Sequence, residues 1–134
     1  MDESEVPFPE TDRIVLDIDH FDVLARQVGN VLKKRQQTTA FFIHDDYLAG
    51  HVIQALRQMG IGVPADISII APGDVLSYDE PFIPRITTMK INTAVMGELA
   101  ARTAISIINK RVEDIQVLKV KEQLVDRGSC RALF

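Results

Sequence analysis

Ala40-Phe-Phe-Ile43 is a short apolar run; Leu48, Val52, Ala55, Leu56 and Met59 then fall on one helical face up to Gly60, and Ile67-Ser-Ile-Ile-Ala71 is a second short run. The hydrophobic period passes from strand to helix and back to strand, which defines a βαβ unit. Gly60 stands where a helix-ending glycine belongs, and Asp45 and Asp46 stand at the helix head, where carboxylates accept backbone N–H groups. The alternation extends in both directions. Upstream, Ile14-Val-Leu-Asp-Ile18 reads as a strand, followed by Phe21, Leu24, Val28, Val31 and Leu32 at helical spacing. Downstream, residues 72–85 hold three prolines and a glycine without a period, and read as a long loop. Ile86-Thr-Thr-Met-Lys-Ile91 reads as a strand, and Asn92 or Thr93 caps a helix over 94–109 that is apolar on most sides and demands cover on more than one face. Val117-Leu-Lys-Val-Lys121 alternates as a half-buried edge strand does. The fold class is α/β, a mostly parallel sheet flanked by helices.

The chain has 134 residues, 46% hydrophobic and 25% charged, which fits one ordinary globular domain. A single cysteine, Cys130, allows no internal disulfide and points to a reducing, cytoplasmic setting. Net charge is −4, but residues 1–12 carry five acids and no base, so residues 13–134 hold 15 bases against 14 acids. Such a balance gives no electrostatic footprint for nucleic acid. The Lys33-Lys34-Arg35 cluster reads as the solvated end of a helix. No apolar stretch reaches the ~18 residues of a membrane span. Residues 1–12 read as an acidic tail or linker stump, and 13–134 as the domain.

Ligands of open α/β sheets bind at the C-terminal ends of the strands. There the sequence places Asp17, Asp19 and His20 after the first strand, His44, Asp45 and Asp46 after the second, and Gly73 and Asp74 after the third. This acceptor-rich rim suits a polyhydroxylated ligand, a cation or an amine; the plain alternative is that Asp45 and Asp46 only cap a helix. Two or three distant carboxylates with His44 do not make a metal set, and no cofactor is implied. There is no Gly-x-Ser-x-Gly elbow, phosphate-cradling loop or His-Glu-x-x-His helix, so no enzyme is predicted. One alternative is a stand-alone solute-binding or receiver-like signalling module whose acids hold a cation, with Lys90 as its only candidate lysine.

Thr39-Ala-Phe-Phe-Ile-His-Asp-Asp46, Ala49, Gly60, Val63-Pro-Ala-Asp-Ile-Ser-Ile-Ile-Ala71, Pro84-Arg-Ile-Thr-Thr-Met-Lys90, Met96-Gly97 and Leu124-Val-Asp-Arg-Gly-Ser129 together resemble the effector-binding domain of LacI/GalR-type transcriptional regulators. The resemblance runs from about residue 13 to the end and implies a periplasmic-binding-protein-like (type I) C-terminal subdomain. It implies a small effector, a sugar first, and operator binding only through a helix-turn-helix outside this chain. Asp45 stands where the family's Asn-Asp pair has its ligand-contacting Asn, and Gly73 replaces the first acid of Gly-aromatic-Asp-Asp, leaving Asp74 to serve. Asp19 and His20 lie near a position where an aromatic often stacks on sugar. The ligand set so implied is Asp19, His20, His44, Asp45 and Asp74. The resemblance also implies a homodimer through Leu48, His51, Val52, Ala55 and Gln58 with Tyr78, Phe82 and Ile83, and places the 94–109 helix in the family's N-terminal subdomain. Left uncovered, that helix predicts self-association.

Overall fold

The computed structural model describes residues 10–109 and 117–132. Among them, a 3-10 turn at Glu10–Asp12 precedes α1 (Phe21–Lys34), β1 (Ala40–Phe42), α2 (Asp46–Gln58), β2 (Ser68–Gly73), β3 (Thr87–Lys90), α3 (Thr93–Ile108) and β4 (Gln123–Val125). The strands form one sheet in the order β1-β2-β3-β4, with β1–β2 and β2–β3 parallel and β3–β4 antiparallel. This is the mostly parallel α/β sheet that the alternation predicts.

The apolar stripe of α2, Ala49, Val52, Ile53 and Leu56, meets Ile69 and Ala71 of β2, and Leu24 and Val28 of α1 complete the core with Ile43, Ile67 and Ile86. Asp45 caps α2 by accepting from Leu48 N at 2.7 Å. At the other end Gly60 takes φ +74° while Ile61 N donates to Leu56 O at 2.9 Å, the left-handed closure that a glycine makes without a Cβ penalty.

β2 runs past the apolar pattern through Pro72 and Gly73. Ser68 N donates to Thr39 O and Ile43 N to Ile70 O, so Ser68, Ile70 and Pro72 turn their N atoms toward β1. β1 ends opposite Ile70. Pro72 therefore falls beyond the end of β1, a place where a sheet tolerates proline.

Three expectations change. Ile14–Ile18 forms no strand: Asp12 is paired with Arg35 at one end and Asp17 N donates to Gln27 Oε1 at 2.9 Å at the other, and among the described residues no hydrogen bond joins 14–16 to β1. Val117–Lys121 forms no edge strand either. Leu118 and Val120 instead face Met96, Leu99 and Ile107 across a groove of about 400 Å³ on α3, so their alternation reflects packing on a helix; the sheet closes with Gln123–Val125. Finally, the acidic segment is not wholly a tail. Residues 1–9 lie outside the described residues, but Asp12 is held against Arg35.

α3 begins as expected, with Asn92 Oδ1 accepting from Val95 N at 3.1 Å, yet none of its residues is buried. Val95, Met96, Ile105, Ile107 and Ile108 all lie exposed. Among the described residues, no helix is long and apolar enough to cross a membrane.

Candidate functional site

The rim at the strand ends divides into groups that face outward and groups consumed by the fold. His44 is exposed just past β1. Asp45 is half-buried and accepts only from Leu48 N among the described residues. Asp19 and His20 are exposed at the head of α1. His20 occupies the N-cap position without capping through its side chain; Asp17 closes the turn that leads into the helix, accepting from Asp19 N at 3.0 Å, His20 N at 3.1 Å and His20 Nδ1 at 3.3 Å. Desolvation raises the Asp17 pKa, but these bonds and the His20 charge outweigh it and hold the carboxyl below its ordinary value. Among the described residues, no hydrogen bond or ion pair joins the Asp19–His20 pair to His44 or Asp45.

Asp46 is fully buried at the first turn of α2. Its Oδ2 accepts from Val75 N at 2.8 Å, Leu76 N at 3.0 Å and Tyr78 Oη at 3.0 Å. Oδ1 is buried with no donor among the described residues. It sits 2.9 Å from the place where a Cβ on Gly73 would stand. Gly73 has φ +122°, so both space and backbone require a glycine there.

Asp74 also turns inward, from a left-handed φ of +84°. It accepts from Thr88 Oγ1 at 2.8 Å and Arg127 Nη2 at 2.5 Å, and Lys90 Nζ lies at 3.5 Å. Desolvation raises its pKa, but the Thr88 hydroxyl, the Arg127 guanidinium and the Lys90 charge prevail and hold it below the usual carboxylate range. Arg127 also donates to Ile86 O and Thr88 Oγ1 at 3.0 and 2.9 Å, and lies 3.7 Å above the Tyr78 ring, a cation–π distance. Burial, then the bond to Asp46 and its charge, push the Tyr78 hydroxyl well above its ordinary pKa. Asp46 and Arg127 thus clamp the start of the 74–85 loop from two sides. The Asp74 carboxylate, expected on the rim, is committed to this clamp.

The expected dimer residues separate in the same way. Val52 and Ala55 belong to the core, so they support the outer face of α2 from beneath and offer no surface. Tyr78 is held by Asp46 and Arg127. Leu48 is half-buried against the core. The His51 ring contacts that of Tyr47 at a tilt of 55°, with centroids 4.8 Å apart, Gln58 is exposed and Ile83 half-buried. Phe82 projects outward at 77% exposure. Tyr47 is also exposed. Among the described residues, no three His, Cys, Asp or Glu side chains are grouped as metal ligands. Cys130 is exposed with Sγ 3.2 Å from Ile69 O.

The sequence reading did not identify Arg127 or Tyr78 as partners. The signal for Arg127 was its place in Leu124-Val-Asp-Arg-Gly-Ser129; Tyr78 carried none.

A mostly parallel α/β sheet with an acceptor-rich rim at its strand ends and an apolar helix standing off its core is the architecture of a ligand-binding α/β domain. The chain belongs to the periplasmic binding protein-like domain family, whose model matches residues 5–130. It is 34% identical over 100 residues to the HTH-type transcriptional repressor PurR of Edwardsiella ictaluri, covering 75% of this chain and 29% of that protein. It is 31% identical over 102 residues to the HTH-type transcriptional regulator RegA of Clostridium acetobutylicum, covering 76% of this chain and 30% of the relative. A LacI-family transcriptional regulatory protein from Corynebacterium glutamicum superposes with a TM-score of 0.62 at 26% identity, over 79% of this chain and 41% of that one. These likenesses identify an effector-binding domain of the LacI/GalR type. The chain spans about 30% of the length of the curated relatives it matches.

Proposed function

We propose that this chain is the ligand-sensing and dimerising C-terminal subdomain of a cytoplasmic LacI/GalR-like transcriptional regulator. Its effector is a small polyhydroxylated molecule, a sugar first, held by His44 and Asp45 with Asp19 and His20 opposite. The observation that carries this reading is Asp45: a half-buried carboxylate at the strand end with spare acceptor capacity, beside an exposed His44. A carboxylate with spare acceptor capacity selects hydroxyl-rich or amine-bearing ligands. The regulator dimerises through the outer face of α2, which carries Tyr47 and His51, and the 75–85 loop, which carries the exposed Phe82; aromatic residues are enriched at interfaces. A helix-turn-helix outside these residues reads the operator, and effector binding shifts the populations that do so. The domain senses and performs no chemistry.

The test is a thermal-shift screen of the protein against sugars, sugar phosphates, nucleobases and Mg²⁺. A ligand at about 100 times its Kd adds about 2.7 kcal/mol. A sugar hit abolished by Asp45→Ala supports the assignment; stabilisation by Mg²⁺ with none by any sugar overturns it in favour of a cation site.

A further inference from the structure

The clamp on the 74–85 loop uses only half of the Asp46 carboxylate. Oδ2 collects Val75 N, Leu76 N and Tyr78 Oη, while Oδ1 is buried without a donor among the described residues. A buried acceptor left unpaired costs stability, and native folds keep few of them. Its surroundings indicate what it is kept for. Outside Gly73 and its chain neighbours, the three atoms nearest to the place of a Cβ on Gly73 all belong to Asp46: Oδ1 at 2.9 Å, Cγ at 3.6 Å and the backbone N at 3.8 Å. Gly73 is the last residue of β2 and half-buried. It therefore lies at the same edge of the sheet as His44 and Asp45, which follow the neighbouring parallel strand. Asp46 N belongs to the first turn of α2, where a helix leaves its N–H groups without intrahelical acceptors. The side-chain-free space at Gly73 is thus bordered by one unpaired acceptor and one helix-end donor. Such a pair is the complement of a hydroxyl, which donates to the carboxylate and accepts from the N–H; an ammonium serves only the acceptor and an ether oxygen only the donor.

We infer that Asp46 Oδ1 is a second ligand acceptor beside Asp45, taking one hydroxyl of a polyol through the space that Gly73 leaves without a side chain. The oxygen is closed to solvent in the unliganded chain, so the hydroxyl enters as the Gly73 backbone turns aside. Gly73 sits at φ +122°, and a residue without a Cβ has both the freedom to turn and the room to admit a guest. The carboxylate stays anchored meanwhile, because Oδ2 keeps its three donors. That the polyol is the effector rests on the proposed function; the affinity of this site for a hydroxyl does not.

The experiment is an NMR titration of the whole chain with ethylene glycol, a small vicinal diol, beside 1,2-dimethoxyethane, which has the same two-oxygen skeleton and no O–H. The Asp46 Cγ and Gly73 amide resonances should shift saturably with the diol. The diether should bind at least about 10-fold more weakly, the least that one hydrogen bond to a charged acceptor gives. In Gly73→Ala the methyl group fills the space and the diol response is lost. The inference is overturned by equal responses to the two probes, by a shift that never saturates, or by a diol response that survives in Gly73→Ala. If that variant does not fold, the comparison of diol with diether in the unaltered protein decides. The sugar screen separates this inference from the effector reading. A diol response at Asp46 with no sugar stabilising the protein upholds the hydroxyl site and removes the sugar effector. A sugar whose binding needs Asp45 but leaves the Asp46 Cγ resonance unmoved removes the site and upholds the effector.

Discussion

Replacing Asp46 with Ala tests the clamp most directly. Its Oδ2 takes three donors, and bonds to a charged acceptor contribute about 1.5–3 kcal/mol each. The whole of that sum is not lost. Val75 is exposed and its N–H regains water, and removing the carboxylate also removes the buried, donorless Oδ1 with its desolvation cost of about 1–3 kcal/mol. The net expectation is a loss of about 3 kcal/mol, a large fraction of the 5–15 kcal/mol typical of a domain, which lowers Tm by about 12 °C at this size. Thermal unfolding followed by circular dichroism, with urea titration for the free energy, measures it. Gly73→Ala supplies the internal check. It forces a Cβ to 2.9 Å from Oδ1 at φ +122°, so in the Asp46→Ala background the clash disappears and only the backbone strain persists. The double variant should therefore cost at least about 1 kcal/mol less than the sum of the singles. A Tm change under about 2 °C for Asp46→Ala, or strict additivity with Gly73→Ala, refutes the reasoning.

Other expectations follow from the same geometry. Because the folded Asp74 carboxyl titrates below its unfolded value, its stabilisation is present above about pH 4 and disappears as pH falls through the folded pKa. Asp74→Asn should therefore lower stability at pH 7 and flatten the acid limb of a stability–pH profile; an unchanged limb counts against the Arg127–Asp74 pair. Phe82→Asp places a charge on the aromatic surface and should give monomers in sedimentation, whereas a dimer of unaltered affinity excludes that face. Ser129 Oγ accepts from Thr87 N at 2.7 Å and donates to Ile69 O at 2.5 Å. Ser129→Ala should lower stability by about 1–3 kcal/mol, read by urea unfolding, and a loss under about 0.5 kcal/mol contradicts the bridge.

The βαβ unit was legible because its signals are local: periodicity, a glycine at the helix end and an aspartate at its head. Asp46 shows where such reading stops. Its position identified a helix head, but its partners lie 29–32 residues away, and nothing in the spacing of Val75, Leu76 and Tyr78 announces an acceptor between them. Asp74 was expected to face ligand because it follows a strand; its left-handed backbone, invisible in the sequence, turns it toward Arg127. The alternation at 117–121 was real and misassigned, since an alternating pair can face a helix as well as a sheet. Ile14–Ile18 has a strand's composition, and pairing depends on backbone contacts that composition does not encode.

The antiparallel return of the chain at β4 has a bearing on how the domain is made. Ser129 joins β2 to β3, and Arg127 holds Ile86, Thr88 and Asp74 together. During synthesis the two central strands therefore emerge long before the residues that lock them, and the nascent domain must wait in an unlocked form until residue 129 has cleared the ribosome. A chain released before Arg127 carries the apolar core of α1, α2, β2 and Ile86 but not its fastening, which makes it a substrate for chaperones and proteases rather than a smaller working domain.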